Sequence, residues 1–371
     1  MGTEKFDITL DARMINHSGI GTNIKNMIPS LVEHYKLTLL GNAEILNSFP
    51  WSNETSIIDM KSPIYSLKEQ LELPTKIPKC DLFVSPHYNI PILKIKASKR
   101  AVIINDVNHL VFADQLSLPK VIYAKYMINA AIKKSDKVIT ISQFSKNEII
   151  KYTHVKEKEI RIVYCGIDNE ILRNTLQEKS FEKIRATYKL PEDYFLYVGS
   201  IKPHKNLKTA LLAFNIWLRK HPAAKKLVVI GLKQEDLSKD TEISKLCDQN
   251  DNIIIPGFVK DYDLPLIYSN AACLIFPSMY EGFGLPPLEA MVCGCPVIAS
   301  NSASIPEICG DAALYFEPLN FEALAEKMTM LTNDKSLRAE LIDKGYINIL
   351  RFNRDRFAEN LKLEFDDVIT N

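Results

Sequence analysis

The chain has 371 residues and a net charge of +1, with 46% hydrophobic and 25% charged residues. This length favours two domains of ordinary size over a single core, and the near-neutral charge argues against a nucleic-acid partner. No apolar run reaches the ~20 residues of a membrane-spanning helix, and no signal peptide is predicted at the N-terminus. We therefore expect a cytoplasmic protein with two globular domains.

Short apolar segments alternate with segments of helical periodicity in the first half of the chain. Strands are predicted at residues 6–10, 36–40, 81–85, 101–105, 137–142 and 161–164. Helices are predicted between them at residues 21–34, 120–134 and 144–152. Several strand segments are near-continuous runs of Val, Ile and Leu, as expected where helices cover both faces of a parallel sheet.

The same alternation restarts after a polar segment at residues 168–192. Strands are predicted at residues 194–199, 226–231, 252–256, 272–277, 296–300 and 314–316, and helices at 206–221, 242–250, 264–270, 287–293, 321–332, 335–350 and 355–369. The repeated order predicts an α/β protein with two Rossmann-like, doubly wound parallel-sheet domains and a cleft between them. Ligands bind beyond the carboxyl ends of the strands in such sheets, so the loops there are expected to carry the chemistry.

The domain boundaries follow from the two alternations. We expect an N-terminal domain at residues 1–170, a linker at 171–192 and a C-terminal domain at 193–352. A C-terminal helix within residues 353–371 could cross back to the first domain.

The most informative segment follows a predicted buried strand, leads into a helix and reads Glu281-Gly-Phe-Gly-Leu-Pro-Pro-Leu-Glu289. The two prolines suit a first helical turn, so the residues before them present free backbone N–H groups at a helix N-terminus. Two carboxylates near those groups can accept hydrogen bonds from the vicinal hydroxyls of a sugar or a ribose. The alternative is a glycine-rich loop with two surface acids that the helix dipole favours.

This segment resembles the signature of glycosyltransferase family 4, whose members are retaining enzymes with the two-domain GT-B fold. The likeness covers nearly the whole chain and includes Gly19-Ile-Gly21, Ser142-Gln-Phe-Ser145-Lys, Gly166-Ile-Asp168 and Tyr197-Val-Gly-Ser-Ile-Lys-Pro-His-Lys205-Asn206-Leu. The resemblance implies that Glu281 is catalytic and holds hydroxyls of the transferred sugar, and that Glu289 holds the ribose of a nucleotide-sugar. The neighbouring residues implied to bind the donor are Gly282, Phe283, Gly284 and Leu285.

Lys205 lies at the predicted start of a helix, after the strand at residues 194–199. A cation there, beside free backbone N–H groups, would stabilise the charge of a departing diphosphate. The resemblance therefore makes Lys205 a catalytic and donor-binding residue, and the alternative is an ordinary surface lysine. Many relatives carry Arg where this chain has Ser200, a further donor-binding candidate, which leaves the missing charge to Lys202 or His204.

Two other loops are expected to bind the donor. Gly19 and Gly21 would approach the diphosphate and the sugar from the first domain, although a Gly-x-Gly pair is also typical of a turn that needs positive φ. The loop at residues 256–260 is where the base should bind, with Phe258 and Val259 as its contacts. No side chain in that loop distinguishes guanine from uracil.

The acceptor is expected at strand ends of the first domain. Asp106 matches the family pattern and is the catalytic and acceptor-binding candidate there, although it could contact the donor sugar instead, whereas Asn105 replaces an expected histidine. His109 could assume part of that role or be structural. His87, which follows another strand, is the third acceptor-binding candidate.

Two features bear on metals and membranes. The one Asp-x-Asp motif, Asp261-Tyr-Asp263, precedes Leu264-Pro265 and is better explained as an N-cap, so no metal site is expected. The first 160 residues carry 21 basic and 16 acidic side chains, and the predicted helix from Lys120 to Lys134 is amphipathic. This helix could lie on an anionic membrane, or it packs on the sheet with its lysines in water.

These observations predict a metal-independent, cofactor-free, retaining glycosyltransferase that acts on a nucleotide-sugar. The best candidate reaction moves mannose from GDP-mannose to a glycan or lipid-linked acceptor in cell-surface polysaccharide synthesis. The first alternative is a UDP-sugar-dependent hexosyl- or N-acetylhexosaminyltransferase of the same family. A nucleotide-sugar epimerase, a phosphorylase-like enzyme and a non-catalytic sugar-binding protein are more distant alternatives.

Overall fold

The computed structural model describes residues 5–17, 19–153, 155, 160–169, 172, 176, 180–222, 225–232, 234–237 and 240–371. The chain forms two compact units: Met1–Gly166 with Arg354–Asn371, and Ile167–Asn353. A linker is predicted at residues 171–192, and its described part, residues 180–192, falls in the second unit. One reason is that Tyr188, the last residue of the helix Phe181–Tyr188, donates a 2.8 Å hydrogen bond to Asp263 of that unit.

The first unit contains a seven-stranded parallel sheet. Its strands are β1 (Asp7–Asp11), β2 (Lys36–Gly41), β3 (Ser56–Asp59), β4 (Cys80–Ser85), β5 (Ala97–Ile103), β6 (Lys137–Thr140) and β7 (Ile160–Ile162). They lie in the order β3-β2-β1-β4-β5-β6-β7, with Asp11 opposite Leu40 and Leu10 opposite Val84. This order reverses direction between β1 and β4, which is where a doubly wound sheet opens a ligand crevice.

The second unit repeats the arrangement with six parallel strands. They are β8 (Tyr194–Val198), β9 (Lys226–Ile230), β10 (Ile253–Ile254), β11 (Leu274–Phe276), β12 (Val297–Ser300) and β13 (Ala313–Phe316). Their order, β10-β9-β8-β11-β12-β13, reverses between β8 and β11. The prediction of two doubly wound parallel-sheet domains is therefore confirmed.

Helices cover the sheets. In the first unit the longer ones are Ile20–His34, Leu67–Lys76, Leu118–Lys134, Gln143–Thr153 and Arg354–Thr370. In the second unit they are Phe181–Tyr188, Leu207–Lys220, Thr241–Asp248, Leu264–Ser269, Leu285–Val292, Ile305–Cys309, Phe321–Asn333 and Lys335–Asn348. Single turns form at Ala43–Leu46, Asn108–Val111 and Gln234–Leu237. None of these described helices is long and apolar enough to cross a membrane.

The core of the second unit lies between its sheet and the surrounding helices. Phe195 and Trp217 meet edge to face with their ring centroids 4.8 Å apart, and Phe214 packs beside them. All three side chains are fully buried, and burial of aromatic surface on this scale is the dominant stabilising contribution in a domain of this size. This core fixes β8, the strand that leads into the loop with Lys205.

The C-terminal helix Arg354–Thr370 belongs to the first unit. Its apolar face, Phe357, Leu361, Phe365 and Val368, is buried. The hydroxyl of Tyr35 donates a 2.7 Å hydrogen bond to Asp366. Gly166 lies against this helix so closely that a Cβ atom would come within 2.8 Å of Phe357. The last helix therefore completes the domain in which the chain begins.

Candidate active site

The loops that follow β8 and β11 meet at the carboxyl edge of the second sheet, on either side of the point where the strand order reverses. The first loop ends in a short 3₁₀ turn, Pro203–Lys205, and the second contains Glu281. The Lys205 ammonium lies 2.7 Å from Glu281 Oε1 and 2.9 Å from Oε2. The two predicted catalytic residues of this unit thus form an ion pair, which the sequence does not reveal.

Asn206 fixes the position of Lys205. It adopts the left-handed conformation, with φ 54°, and begins the helix Leu207–Lys220. Its buried amide donates to the carbonyls of Pro277 (3.0 Å) and Pro318 (2.5 Å), and its Oδ1 accepts from Thr209. One side chain therefore joins the loop after β8 to the end of β11.

The loop around Glu281 is held by a buried serine. Ser304 Oγ lies 2.9 Å from the carbonyl oxygen of Glu281 and 2.7 Å from that of Phe283. Gly284 precedes the helix Leu285–Val292 with φ 110°, a conformation that favours glycine. A Cβ atom there would be 3.7 Å from the Phe276 ring, an ordinary contact, so the backbone angle and not space requires glycine.

Glu289 lies inside that helix and shares a hydrogen bond with a buried tyrosine. The hydroxyl of Tyr268 donates to Glu289 Oε2 over 3.0 Å. Burial raises the pKa of Glu289 above its usual value, an effect that the Tyr268 hydrogen bond opposes. Glu289 Oε1 has no hydrogen-bond partner within the described part of the chain. That oxygen is available to a hydroxyl of a ligand.

His204 stands beside Lys205 as a neutral side chain. Burial, followed by the positive charge of Lys205, lowers the pKa of His204 to about 4. His204 therefore does not supply the positive charge that we expected near Ser200. Ser200, the residue at that position, accepts a 3.1 Å hydrogen bond from Tyr197 through its carbonyl.

The predicted base-binding loop has one exposed and one buried candidate. Phe258 is 83% exposed, whereas Val259 is buried. The N-cap explanation for Asp263 is wrong: it precedes the helix Leu264–Ser269, but its side chain makes no capping hydrogen bond. Its buried carboxylate accepts a hydrogen bond from Tyr188 instead.

In the first unit, Gly19 and Gly21 lie where the chain passes from β1 into the helix Ile20–His34. Gly19 has φ 67°, and a Cβ atom added to it would have no other atom within 4 Å. A Cβ atom at Gly21 would stand 2.3 Å from the carbonyl oxygen of Ile15. The first glycine is thus needed for its backbone angle and the second for a close approach of two backbone segments.

The three acceptor candidates follow strands at the carboxyl edge of the first sheet, two of them on loops and His109 in the turn Asn108–Val111. Asp106 accepts a 3.0 Å hydrogen bond from the backbone N–H of Asn108. His109 Nδ1 is 3.4 Å from the hydroxyl of Tyr88. His87 is buried, with Nε2 3.3 Å from Asp11 and Nδ1 accepting from the backbone N–H of Asn89.

His87 belongs to a buried charged network that the sequence does not predict. Its members are Asp11, Arg13, Glu69, His87 and Asn89. Asp11 is the last residue of β1 and Arg13 follows two residues later, so charged residues at a buried strand end are a usable signal. Glu69 lies in a helix that was not predicted, so nothing local pointed to it.

Two family models match the chain. The model described as Glycosyl transferases group 1 matches residues 180–347, and the model described as Glycosyltransferase Family 4 matches residues 53–171. O-antigen chain mannosyltransferase B of Escherichia coli is 28% identical over 235 residues, which are 63% of this chain and 61% of that relative. The chain thus spans less than two thirds of this curated relative.

Solved structures share the fold. A glycosyltransferase from Rickettsia africae superposes with a TM-score of 0.77 at 17% identity over the full length of both chains. The Anabaena protein HepE, crystallised with UDP and glucose, superposes with a TM-score of 0.77 at 15% identity over 98% of this chain and 100% of its own. The predicted GT-B architecture is confirmed, and with a family model matched in each unit the chain belongs to the glycosyltransferases of the family 4 type.

Proposed function

We propose that this protein is a retaining glycosyltransferase that moves a hexose from a nucleotide-sugar to a glycan or lipid-linked acceptor in cell-surface polysaccharide synthesis. The observation that carries the proposal is the Lys205–Glu281 ion pair at the carboxyl edge of the second sheet, with distances of 2.7 and 2.9 Å. A doubly wound sheet binds its ligand at this point. Family membership supports the reaction class.

The ion pair gives each partner a distinct role. A donor diphosphate placed beside Lys205 attracts the ammonium, so the charge that develops on the leaving phosphate is stabilised where it forms. Glu281 is then free to accept hydrogen bonds from hydroxyls of the transferred sugar. Glu289 Oε1 can accept a hydrogen bond from a hydroxyl of the ribose. The acceptor hydroxyl attacks from the face that the phosphate leaves, and its proton passes to a phosphate oxygen. This chemistry needs no protein nucleophile.

GDP-mannose is our first candidate for the donor, and a UDP-hexose is the second. The similarity to an O-antigen mannosyltransferase supports mannose, whereas the fold shared with a UDP-bound protein supports UDP. Isothermal titration with GDP and with UDP separates them. We expect micromolar binding of GDP, weakened at least tenfold by Lys205→Ala and unchanged by Lys208→Ala, a matched lysine three residues away. Micromolar binding of UDP with none of GDP would exclude the mannose donor.

Retention and metal independence are further parts of the proposal. An α-linked donor should give an α-linked product by NMR, and turnover should survive EDTA. An inverted product, or activity lost with EDTA and restored by Mg²⁺, would contradict them. Donor consumed without any acceptor would instead favour an epimerase or a hydrolase.

The helix Leu118–Lys134 is our candidate for contact with an anionic membrane. Leu118, Ile122 and Tyr126 stand one turn apart on its exposed side, and the exposed Lys125 lies on the same side. Its opposite side is buried through Ala124, Met127, Ile128, Ala131 and Ile132. Exposed apolar side chains beside lysines are typical of helices that lie in the lipid headgroup region.

A further inference from the structure

A charged network lies buried at the carboxyl edge of the first sheet. Arg13 donates from Nε and Nη2 to the two oxygens of Asp11 over 2.8 and 2.6 Å, and from Nη2 to Glu69 Oε1 over 2.5 Å. None of these three side chains is more than 3% exposed. Buried ion pairs seldom add net stability over apolar packing, so this network is better explained by the groups that it holds in place.

The outer side of the network positions two tyrosines. Glu69 Oε2 accepts a 2.8 Å hydrogen bond from the backbone N–H of Tyr65 and a 2.6 Å one from the amide of Asn89. Asn89 Oδ1 in turn accepts from the hydroxyl of Tyr123 over 2.5 Å. A single buried carboxylate thus fixes Tyr65 directly and Tyr123 through Asn89.

Tyr65 is held in an unfavourable backbone conformation. Its φ is 65°, which a residue with a bulky side chain rarely adopts. Residues held in such conformations cluster at active sites, ligand clamps and switch regions. The hydrogen bond from Tyr65 N to Glu69 helps to maintain it.

The tyrosines form an aromatic cluster with one open member. The ring of Tyr65 is 6.1 Å from that of Tyr88 and 6.2 Å from that of Tyr123, and Tyr88 meets His109 edge to face at 5.8 Å. Tyr88 is buried, whereas Tyr65 is 46% exposed. An aromatic ring supported from beneath and open to solvent matches the apolar C–H face of a sugar ring, whose hydroxyls reach polar groups at the rim.

We infer that Tyr65 is a stacking platform for a sugar ring of the acceptor, and that Glu69 is its positioning residue. Asp106 and His109, on the loop beside Tyr88, supply the polar rim. This inference rests on the proposed function, since it concerns the saccharide that the enzyme would extend. It adds residues that no family motif in the sequence marks.

The test measures saccharide and nucleotide binding separately. A glycan array with mannose-, galactose-, glucose- and N-acetylhexosamine-containing oligosaccharides, probed with the wild-type protein, selects the best-bound soluble oligosaccharide. Its Kd is then measured for Tyr65→Phe, which keeps the ring, for Tyr65→Leu, which removes it, and for Tyr346→Leu, an exposed tyrosine of the other unit. We expect Tyr65→Leu to raise this Kd at least tenfold and the other two to change it less than threefold. The Kd for GDP or UDP should stay constant in all four proteins.

Glu69→Gln distinguishes positioning from general structural support. Alone, it should raise the saccharide Kd several-fold, but added to Tyr65→Leu it should have no further effect, because it acts through Tyr65. Additive effects would overturn the positioning role. Wild-type saccharide binding by Tyr65→Leu, or no bound oligosaccharide on the array, would overturn the platform. The platform would also be overturned if Tyr65→Leu lost binding to lipid vesicles but kept its binding to the oligosaccharide. Loss of the proposed function would show independently, as failure to bind any nucleotide.

Discussion

Single residues decide how the Lys205–Glu281 ion pair would be used. The charges of Lys205 and Glu281 neutralise each other over 2.7 Å. An anionic donor competes with Glu281 for the ammonium, so binding would exchange one ion pair for another. The cost of separating Lys205 from Glu281 is then offset by the charge of the diphosphate.

Replacing Glu281 tests this exchange. Glu281→Gln should lower turnover by roughly 10²-fold, the scale of one lost preorganised contact in the transition state. The affinity for the free nucleotide should stay the same or increase, because Lys205 no longer has a competing carboxylate. Steady-state kinetics and calorimetry measure the two effects, with the exposed Glu326→Gln as the matched control. Wild-type turnover of Glu281→Gln at saturating donor would refute the role.

His204 should make the stability of the second unit depend on pH. Its pKa is lowered to about 4 in the folded chain, so between pH 6.5 and 4 only the unfolded chain takes up a proton there. Stability is therefore lost as the pH falls through this window. The free energy of unfolding should fall by about 2 kcal/mol across this window because of His204. A shift of one pKa unit corresponds to ~1.4 kcal/mol, and the full value is reduced here because the side chain is only partly buried.

The measurement is chemical denaturation of wild type and His204→Gln across this pH range. The free energy of unfolding of wild type should fall more steeply than that of the variant below pH 6.5. The carboxylates, which titrate in both proteins, cancel in the difference. Parallel curves would mean that His204 titrates normally.

At the scale of elements, the hydrophobic periodicity of the helix Leu118–Lys134 predicts an amphipathic helix but not what each of its sides contacts. Its buried side packs on the sheet as an ordinary amphipathic helix does. Its other side carries apolar residues that packing within the unit does not explain. The sequence leaves membrane contact and simple packing as alternatives, and in the structure the two concern opposite sides of the same helix.

Substitution of this exposed side tests the membrane proposal. Ile122→Ser combined with Tyr126→Ser should weaken binding to phosphatidylglycerol vesicles by at least tenfold, because both side chains lose apolar surface that the lipid would bury. Vesicle co-sedimentation measures this, and added salt should weaken the wild-type protein as well. Ile150→Ser, on the helix Gln143–Thr153, is the control. Equal binding by all three proteins would exclude this helix as the contact.

At the scale of the whole molecule, the first unit is assembled from both ends of the chain. The sequence predicts a C-terminal helix and leaves its destination open. The buried face of Arg354–Thr370 assigns it to the unit in which the chain begins. Large apolar side chains of this helix, such as Phe365, are fully buried there.

A chain truncated after Asn353 should therefore lose the first unit and keep the second. Burial of several large side chains is removed, and each costs roughly 2–5 kcal/mol, which approaches the stability of a typical domain. Hydrogen exchange should show lost protection in β4 and β5 but not in β8 and β11. A milder pair checks the cause: Leu361→Ala, at a position 1% exposed, should destabilise the first unit, and Leu363→Ala, at 67%, should not. Full protection of β4 in the truncated chain would contradict the prediction.

The sequence by itself determined most of the elements and their order, and it predicted the loops that would carry the chemistry. Apolar runs and helical periods are local signals, so all six strands of the second unit were predicted within a few residues of their observed bounds. β3 was missed because its four residues, Ser56–Asp59, are only partly buried at a sheet edge and lack a strong apolar run. The fixed spacing of Glu281 and Glu289 was likewise readable, because one loop and one helix hold both.

Only the tertiary structure decided which of these residues meet. Lys205 and Glu281 are 76 residues apart, and Arg13 and Glu69 are 56 apart. An ion pair leaves no trace in local sequence, because its energy depends on a distance that the packing of distant elements sets. The same reason hid the tyrosine cluster and the destination of the last helix: their partners lie close in space and far along the chain.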